Sequence, residues 1–392
     1  MPATAEQSHC VIFAAGGTGG HIFPALAVAE ELRKLHPSVE PVFVASQRAI
    51  DRQVLEGARV EWAAIPARPL VVRPRALAGL VWNWGGAVRG ARGAMRSKGR
   101  RALALVTTGG FVAPPAAQAA RAERIPSVLI NLDAVPGRAN RLLAKRAARK
   151  LTTADGPDVP ADWVRIPPIV RAGARSGASP ASARLALGLD PKTPTLLVTG
   201  GSQGARSINE FLLAIVRERP ALLRGWQVIH QCGGSTGAEP EGSDSMERRL
   251  QEAYDATGVP AAVMPFIDRM ADAWAAAECA IARAGAGNVA EVWANGVPTL
   301  FLPYPFHADN HQARNAAVLT EAGAALIATD RVDPGANLEG AGPVVAELVG
   351  SAERRAAMRS ALERLGPADG ALRAARVISE VIAPMVGEAS TR

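Results

Sequence analysis

The chain has 392 residues, more than a single hydrophobic core usually serves, so two domains are expected. A hydrophobic fraction of 48% excludes an intrinsically disordered chain. The three widely spaced cysteines form no CxxC pair, which argues against a disulfide framework or a zinc site. We find no signal peptide and no transmembrane segment, and the net charge of +8 favours an anionic partner without identifying it.

Short apolar runs alternate with helix-compatible segments through the first half of the chain. We predict strands at Val11–Ala15, Pro41–Ala45, Val60–Ile65, Leu103–Thr107 and Ser127–Ile130, and a helix at Pro24–Leu35. Continuous apolar strands between helices are typical of a parallel sheet that is covered on both faces.

A stretch rich in proline, glycine and serine, Gly156–Pro180, indicates a hinge. Further strands are predicted beyond it at Thr195–Thr199, Gln227–Gln231, Ala262–Pro265, Cys279–Ala282 and Thr299–Pro303. Ala357–Val386 is helical in composition, with a break around Gly366–Gly370. The predicted fold class is α/β, with two doubly wound, Rossmann-like domains that face a cleft. We place the first domain at residues 1–165 and the second at residues 166–369, with the last helix, about 370–392, packed back on the first domain.

Glycine-rich turns follow three of the predicted strands, at Gly16–His21, Gly109–Val112 and Gly200–Ala205. A strand, a glycine turn and a helix together direct backbone N–H groups at a bound phosphate. The GxGxxG spacing of a dinucleotide site fails because its third glycine would have to be Ile22, and no acidic residue ends the second strand. Three such turns at strand ends in two domains predict a shared phosphate-binding cleft.

The segment after strand Cys279–Ala282 allows two interpretations. Asn288 and Glu291 have the spacing of a capping box, which would be purely structural. Alternatively, small residues expose a helix N-terminus to a pyrophosphate, and Glu291 binds a ribose. The loop after the next strand holds three potential metal ligands, His307, Asp309 and His311. With no further partner nearby, these side chains suit sugar hydroxyls better than a metal ion.

Together these features resemble the N-acetylglucosaminyltransferases of glycosyltransferase family 28 that complete the lipid-linked peptidoglycan precursor. The resemblance runs from Val11 to about Ile382 and rests on Gly16–Pro24, Gly109–Val112, Gly137–Arg141, Gly200–Ala205, Phe266–Asp268, Arg283–Glu291 and Asp309–Asn315. It implies a GT-B fold and inverting transfer of N-acetylglucosamine from UDP-N-acetylglucosamine to the 4-hydroxyl of N-acetylmuramic acid in undecaprenyl-diphosphate-linked lipid I, which gives lipid II. No cofactor is expected, and the lack of an Asp-x-Asp motif favours a metal-independent reaction.

The resemblance also assigns residues to the two substrates. It implies donor-binding residues at Arg171, Ser202, Gln203, Ile267, Ala286, Gly287, Glu291, His311 and Gln312. It implies an acceptor and diphosphate site at Gly17, Thr18, Gly19, Gly20, Gly109, Gly110 and Asn140. His21 is the candidate catalytic base, because its unperturbed pKa is about 6.5 and its turn faces the acceptor. A structural function for this histidine is the alternative.

The chain departs from the family pattern in two places. Where the family carries His-Glu-Gln-Asn, this chain has Ile130-Asn131-Leu132-Asp133, so an amide replaces the usual Glu and we expect Asp133 to act in catalysis. Of the family's Asn-Pro-Val-Arg, only Val170-Arg171 remains. The alternatives are another GT-B glycolipid glycosyltransferase, a UDP-N-acetylglucosamine 2-epimerase, or a diverged paralogue that binds lipid-diphosphate sugars without turnover.

Residues 73–101 contain eight basic and no acidic side chains. Among them lies an apolar stretch with Leu77, Leu80, Trp82 and Trp84. Apolar side chains flanked by cations suit an anionic bilayer surface, and a solvated basic face over ordinary core residues is the alternative. No recognised nucleic-acid-binding module accompanies the charge, so no nucleic acid partner is expected. We predict a peripheral protein on the cytoplasmic face of the cell membrane, with UDP-N-acetylglucosamine, the undecaprenyl-diphosphate-linked acceptor and anionic lipid as its partners.

Overall fold

The computed structural model describes residues 8–17, 19–69, 74–201, 204–234, 245–306 and 309–387. The chain divides into two units, unit 1 with residues 1–171 and 369–392, and unit 2 with residues 172–368. Residues 166–171, which the sequence analysis places in the second domain, pack in unit 1. Several predicted residues lie outside the description, namely Thr18, Ser202, Gln203, His307 and the side chains of Leu77, Leu80 and Trp82.

The described part of unit 1 is built on seven parallel strands. They are β1 (His9–Ala14), β2 (Val39–Ser46), β3 (Glu61–Ile65), β4 (Arg101–Thr107), β5 (Ser127–Asn131), β6 (Arg149–Thr152) and β7 (Val164–Arg165). Their order across the sheet is β3-β2-β1-β4-β5-β6-β7. The connecting helices are α1 (Gly19–Leu35), α2 (Ala49–Gly57), α3 (Pro74–Met95), α4 (Ala113–Ala122) and α5 (Arg138–Ala144).

Unit 2 repeats this plan, with six parallel strands among its described residues. They are β8 (Thr195–Thr199), β9 (Gln227–Gln231), β10 (Ala261–Met264), β11 (Cys279–Ala282), β12 (Thr299–Phe301) and β13 (Ala325–Ile327), in the order β10-β9-β8-β11-β12-β13. Its helices are α6 (Pro180–Ala186), α7 (Arg206–Glu218), α8 (Met246–Thr257), α9 (Met270–Ala276), α10 (Ala286–Asn295), α11 (His311–Glu321), α12 (Pro334–Gly340), α13 (Gly342–Gly350) and α14 (Ala352–Arg364). The last helix, α15 (Gly370–Gly387), belongs to unit 1 and packs on α1.

Both faces of each central sheet are buried. In β8, Leu196 and Val198 belong to one hydrophobic cluster and Leu197 belongs to another on the opposite face. In unit 1, Phe13 of β1 stacks on Phe43 of β2 with ring centroids 5.2 Å apart. Because both faces need apolar side chains, these strands occur in the sequence as unbroken apolar runs. The predicted α/β fold class with two doubly wound sheets is confirmed, and the ten predicted strands are present with ends shifted by at most two residues.

The prediction missed the strands β6, β7 and β13 and misplaced one helix start. β6 begins with two basic residues, and both residues of β7 are exposed, so neither strand forms an apolar run. The helix predicted at Pro24–Leu35 begins five residues earlier, because Gly19 and Gly20 adopt helical backbone conformations despite the low helix propensity of glycine. The predicted break before the last helix is confirmed between α14 and α15.

A buried carboxylate holds the turn between β1 and α1. Asp51, in the first turn of α2, is fully buried and accepts hydrogen bonds from the backbone N–H of Gly17 at 2.8 and 3.0 Å. It also accepts from the backbone N–H of Ser46 at 3.0 Å and from the Ser46 hydroxyl at 2.6 Å. One side chain therefore joins the turn after β1 to the end of β2.

We expect Asp51→Ala to lower the free energy of unfolding of unit 1 by about 2–4 kcal/mol, because two buried N–H groups lose their acceptor. Asp51→Asn keeps one carbonyl oxygen and should lose about half as much. Urea unfolding combined with hydrogen exchange of the peptides that contain Gly17 and Ser46 measures the effect. The control is Arg52→Ala, an exposed neighbour on α2 that should change stability by less than about 0.5 kcal/mol. Equal losses in Asp51→Ala and Arg52→Ala would contradict the assignment.

Candidate functional site

Two glycine turns lie against each other at the carboxyl edge of the sheet in unit 1. Gly17 has a φ of 93° and Gly110 a φ of 77°, in the left-handed region that favours glycine. A Cβ on Gly17 would lie 2.3 Å from the ring of Phe111. A Cβ on Gly110 would lie 2.9 Å from the carbonyl oxygen of Gly16. The contact between the turns therefore leaves no space for side chains at these two positions.

His21 lies in the first turn of α1 and packs against Gly110. Its Nδ1 is 3.1 Å from the carbonyl oxygen of Thr108, whose hydroxyl donates to the carbonyl of His21 at 2.9 Å. Because a carbonyl only accepts, Nδ1 carries the hydrogen and Nε2 keeps a lone pair. Burial lowers the pKa of His21 below its ordinary value of 6.5, and the charge of Asp133, the Thr108 carbonyl and the charge of Asp51 oppose that shift. The ring is thus a neutral base at physiological pH.

Asn131 and Asn140 form a buried pair of amides beside the second glycine turn. Asn140 Nδ2 donates to Asn131 Oδ1 at 3.0 Å, and Asn131 Nδ2 donates to the carbonyl of Asp133 at 2.7 Å. Asn131 Nδ2 also lies 3.2 Å from Thr152 Oγ1. Asn140 Oδ1 is buried, has no hydrogen-bond partner among the described residues, and lies 2.8 Å from where a Cβ of Gly109 would be. The predicted residues Gly109, Asn140 and Asp133 therefore belong to one connected group.

The first glycine turn offers a ligand fewer backbone N–H groups than its sequence suggests. The backbone N–H of Gly17, which we predicted to face a diphosphate, donates to the buried carboxylate of Asp51 and is not available to a ligand. Gly19 and Gly20 open α1, where the first N–H groups have no partner within the helix. Arg48, which the sequence analysis did not single out, donates from Nη1 to the carbonyl of Gly17 at 2.7 Å. Asp51 was also missed, since it lies one helical turn beyond the end of β2.

The glycine turn after β8 in unit 2 is equally tight. Gly204 has a φ of 70°, and its Cβ would lie 2.4 Å from the carbonyl oxygen of Cys232. Asn209 Nδ2 donates to that carbonyl at 2.8 Å, while Asn209 Oδ1 accepts from His230 Nε2 at 3.1 Å. His230 Nδ1 in turn accepts from the hydroxyl of Tyr254 at 3.0 Å. Because burial lowers the pKa of His230 to about 3, this histidine stays neutral and holds the turn in place.

A buried indole holds the carboxylate of Glu291 on α10. Trp274 on α9 is fully buried, and its Nε1 donates to Glu291 Oε2 at 2.8 Å. The alternative prediction of a capping box is wrong, because α10 begins at Ala286 and Asn288 Nδ2 donates back to the carbonyl of Arg283 at 3.0 Å. A neighbouring helix, rather than its own helix start, therefore orients the Glu291 carboxylate.

The other predicted donor residues that the structure describes in unit 2 lie at the carboxyl edge of its sheet. Ile267 is buried after β10, Gly287 is in the first turn of α10, and His311 and Gln312 open α11. His311 Nδ1 is 2.8 Å from Asp309 Oδ1, and this hydrogen bond lowers the pKa of the Asp309 carboxyl. Gln312 Oε1 accepts from a backbone N–H of the preceding loop at 2.9 Å. These side chains are thus held at the start of one helix.

Arg171 lies in unit 1, where its guanidinium stacks on the ring of Phe23 at 4.1 Å from the centroid. Within the described residues, no group of three or more His, Cys, Asp or Glu side chains is arranged to hold a metal ion. None of the described helices combines the length and the apolar character needed to cross a membrane.

Two family domains and several curated proteins match this chain. Residues 11–152 match the glycosyltransferase family 28 N-terminal domain, and residues 195–372 match the family 28 C-terminal domain. A UDP-N-acetylglucosamine–N-acetylmuramyl-(pentapeptide) pyrophosphoryl-undecaprenol N-acetylglucosamine transferase from Nocardioides sp. is 38% identical over 95% of this chain and 98% of its own length. A protein of the same name from Moorella thermoacetica is 35% identical over 91% of this chain and 94% of its own length.

Solved structures agree with these sequence matches. The crystal structure of Acinetobacter baumannii MurG is 26% identical, has a TM-score of 0.68, and is matched over 95% of this chain and 99% of that chain. A UDP-N-acetylglucosamine 2-epimerase is 14% identical with a TM-score of 0.62 over 97% of each chain, a likeness that concerns the fold alone. Since both family 28 domains match in order and curated relatives match over nearly the whole length, the chain belongs to glycosyltransferase family 28.

Proposed function

We propose that this protein transfers N-acetylglucosamine from UDP-N-acetylglucosamine to the 4-hydroxyl of N-acetylmuramic acid in lipid I, giving lipid II for peptidoglycan synthesis. The observation that carries the proposal is the 38% identity to a curated transferase of that activity over 95% of the chain. In the reaction, the acceptor oxygen attacks the anomeric carbon from the face opposite UDP. The bond between that carbon and the diphosphate oxygen breaks, UDP leaves with the bonding electrons, and a base takes the hydroxyl proton.

His21 is the base in this proposal. The Thr108 carbonyl oxygen accepts a hydrogen bond from Nδ1 at 3.1 Å, which leaves the Nε2 lone pair to accept the proton of the acceptor hydroxyl. Burial lowers the pKa of His21, so the ring is neutral before the reaction. The negative charge of Asp133 raises that pKa and stabilises the imidazolium that forms. Asn131 is an amide and cannot act as a base.

The acceptor side of the proposal uses the residues around the two glycine turns of unit 1. The residues that we propose for the acceptor sugar and its diphosphate are Gly19, Gly20, Gly109, Gly110 and Asn140. The buried, unpartnered Oδ1 of Asn140 supports this assignment, because a buried acceptor without a donor costs free energy until a ligand supplies one.

The donor side uses unit 2. Proposed contacts are the main chain of Ile267 for uracil, Glu291 for the ribose, the α10 start at Ala286 and Gly287 for the diphosphate, and His311 and Gln312 for the sugar. Backbone N–H groups at a helix N-terminus stabilise the negative charge that develops on the leaving UDP. Ser202 and Gln203 stay predictions for the diphosphate, and so does Arg171, which lies in unit 1.

An apolar groove on unit 1 supports the proposal that this surface of the protein faces the membrane. The groove has a volume of about 760 Å³, and its apolar lining includes Trp84, Leu142 and Leu143. Its lining also includes exposed basic residues that form no ion pair with other described residues, namely Arg121, Arg124, Lys145 and Arg146. By contrast, Glu123 pairs with Arg92 and Arg96, and Glu61 pairs with Lys98 and Arg100, so part of the basic segment at residues 73–101 is neutralised. We place this groove against the anionic cytoplasmic face of the membrane.

The function is tested by incubating the protein with UDP-N-acetylglucosamine and lipid I and measuring both UDP and lipid II. We expect one lipid II for each UDP released, and we expect His21→Ala to lower kcat by about 10²–10⁴-fold while KM for the donor stays unchanged. UDP release without lipid II would contradict the transferase assignment. Wild-type kcat in His21→Ala would exclude this residue as the base.

The pH dependence of kcat/KM tests the proposed effect of Asp133 on His21. Since burial lowers the pKa of His21 below 6.5, kcat/KM should fall only as the pH drops below that value. Asp133→Asn removes a charge that raises this pKa, so the acidic limb should move to lower pH. Glu56→Gln, an exposed carboxylate on α2, should leave the limb in place. An Asp133→Asn profile that superimposes on the wild type would remove Asp133 from the site.

From the hydrogen bond between Trp274 and Glu291 we predict that Trp274 positions Glu291 to bind the ribose of the donor. Trp274→Phe removes the indole hydrogen bond, so KM for UDP-N-acetylglucosamine should rise about tenfold with little change in kcat. The preference of the enzyme for UDP-N-acetylglucosamine over its 2′-deoxyribose analogue should also fall. Trp293→Phe is the matched control, because its indole donates to the carbonyl of Gly366 at 2.8 Å and not to Glu291. Unchanged ribose discrimination in Trp274→Phe would refute a positioning function.

Vesicle cosedimentation tests the membrane-facing groove. The double variant Lys145→Gln, Arg146→Gln should bind vesicles of anionic phospholipid about 30-fold more weakly than the wild type, at about 1 kcal/mol per cation. The double variant Arg92→Gln, Arg96→Gln removes the same charge from residues already paired with Glu123 and should have a much smaller effect. Equal losses in both variants would show that only net charge matters.

A further inference from the structure

We propose that Arg48 binds the diphosphate of the acceptor in unit 1, an inference that rests on the proposed function. Arg48 follows β2 and precedes α2, at the sheet edge where the glycine turns lie. Its Nη1 donates to the carbonyl oxygen of Gly17 at 2.7 Å, and its guanidinium stacks on the ring of Phe111 at 5.0 Å from the centroid. The Arg48 guanidinium therefore contacts both glycine turns, the first at Gly17 and the second at Phe111.

The buried carboxylate of Asp51 weakens the first glycine turn as an anion site. Asp51 accepts the N–H of Gly17, so the turn cannot offer that hydrogen to a phosphate oxygen. The same carboxylate would repel an anion that approaches the turn. Arg48 supplies the opposite charge on the same turn. It donates to the Gly17 carbonyl, while Asp51 accepts from the Gly17 N–H.

The guanidinium of Arg48 is suited to this ligand. Its side chain is exposed and forms no ion pair with a carboxylate among the described residues. An arginine has five N–H donors in a fixed plane, and the bond to Gly17 uses one of them. The remaining donors match the paired oxygens of a diphosphate, and the contacts with Gly17 and Phe111 reduce the entropy lost on binding. The chemical class of ligand is a diphosphate ester of a lipid-linked sugar.

The first experiment compares two acceptors that carry the same sugar and peptide. One has a short prenyl chain on a diphosphate, and the other has the same chain on an uncharged linker. We expect Arg48→Gln to raise KM for the diphosphate acceptor by about 10–100-fold and to leave KM for the uncharged acceptor and for UDP-N-acetylglucosamine unchanged. Arg48→Lys should be intermediate, because it keeps the charge and loses the planar fork.

The control is Arg52→Gln, which removes an exposed charge one turn further along α2 and should behave as the wild type. Wild-type KM for the diphosphate acceptor in Arg48→Gln would overturn the proposal. An equal loss with both acceptors would assign Arg48 to the acceptor's carboxylates or to the fold, and would also overturn it.

A direct binding measurement separates this inference from the proposed function. Farnesyl diphosphate, a soluble prenyl diphosphate, is titrated calorimetrically into the wild type, Arg48→Gln and Arg52→Gln. We expect at least tenfold weaker binding in Arg48→Gln alone, even if the protein transfers sugar to neither acceptor. Equal binding by all three proteins would exclude Arg48 as a diphosphate ligand whatever the activity of the enzyme.

Discussion

The hydrogen bonds between Asp51 and Gly17 are the constraint on which the site in unit 1 depends. They hold Gly17 at a φ of 93°, in a turn that lies outside the strands and helices. The turn leads directly into α1, and α1 carries His21 in its first turn. The helix start that carries the proposed base therefore follows a turn held by a carboxylate 34 residues away from Gly17, on another helix.

The same carboxylate shapes the electrostatics of the site. It withdraws one backbone donor from an anionic ligand, and its charge is one of the influences that raise the pKa of His21 against the larger effect of burial. If the turn binds a phosphate as proposed, a cation offsets this charge, and Arg48 lies at the Gly17 carbonyl. In our proposal, different residues therefore supply the rigidity of the turn and the affinity for the acceptor, Asp51 the first and Arg48 the second.

Sequence patterns predicted the architecture well because both sheets are covered on two faces. The central residues of strands such as β8, Leu196, Leu197 and Val198, must all be apolar, and that leaves an uninterrupted apolar run in the sequence. The tight turns could be located from their glycines for a similar reason. A close approach such as that of Gly110 to the carbonyl of Gly16 leaves no space for any other residue. The short strands β6 and β7, at one side of the sheet, carry charged residues and have no comparable signal.

Partners of the functional residues could not be predicted, because they are set by tertiary contacts. No spacing rule connects Asp51 with Gly17, or Trp274 with Glu291, and the capping-box spacing of Asn288 suggested a contact that does not form. In unit 1 a buried side chain from a neighbouring helix holds the turn that precedes the proposed base, and in unit 2 one holds the carboxylate proposed to bind the ribose. Only the coordinates of the packed helices reveal that arrangement.

The replacement of the usual glutamate by Asn131 is explained by the same packing. Position 131 is 1% exposed, and an uncompensated carboxylate there would be costly. An amide both donates and accepts, so Asn131 accepts from Asn140 and donates to the carbonyl of Asp133. A carboxylate could not make that last bond. Asn131 therefore holds the backbone of Asp133, and Asp133 contributes the negative charge that His21 senses. The amide that seemed to argue against catalysis instead holds the backbone of the residue whose charge raises the pKa of the proposed base.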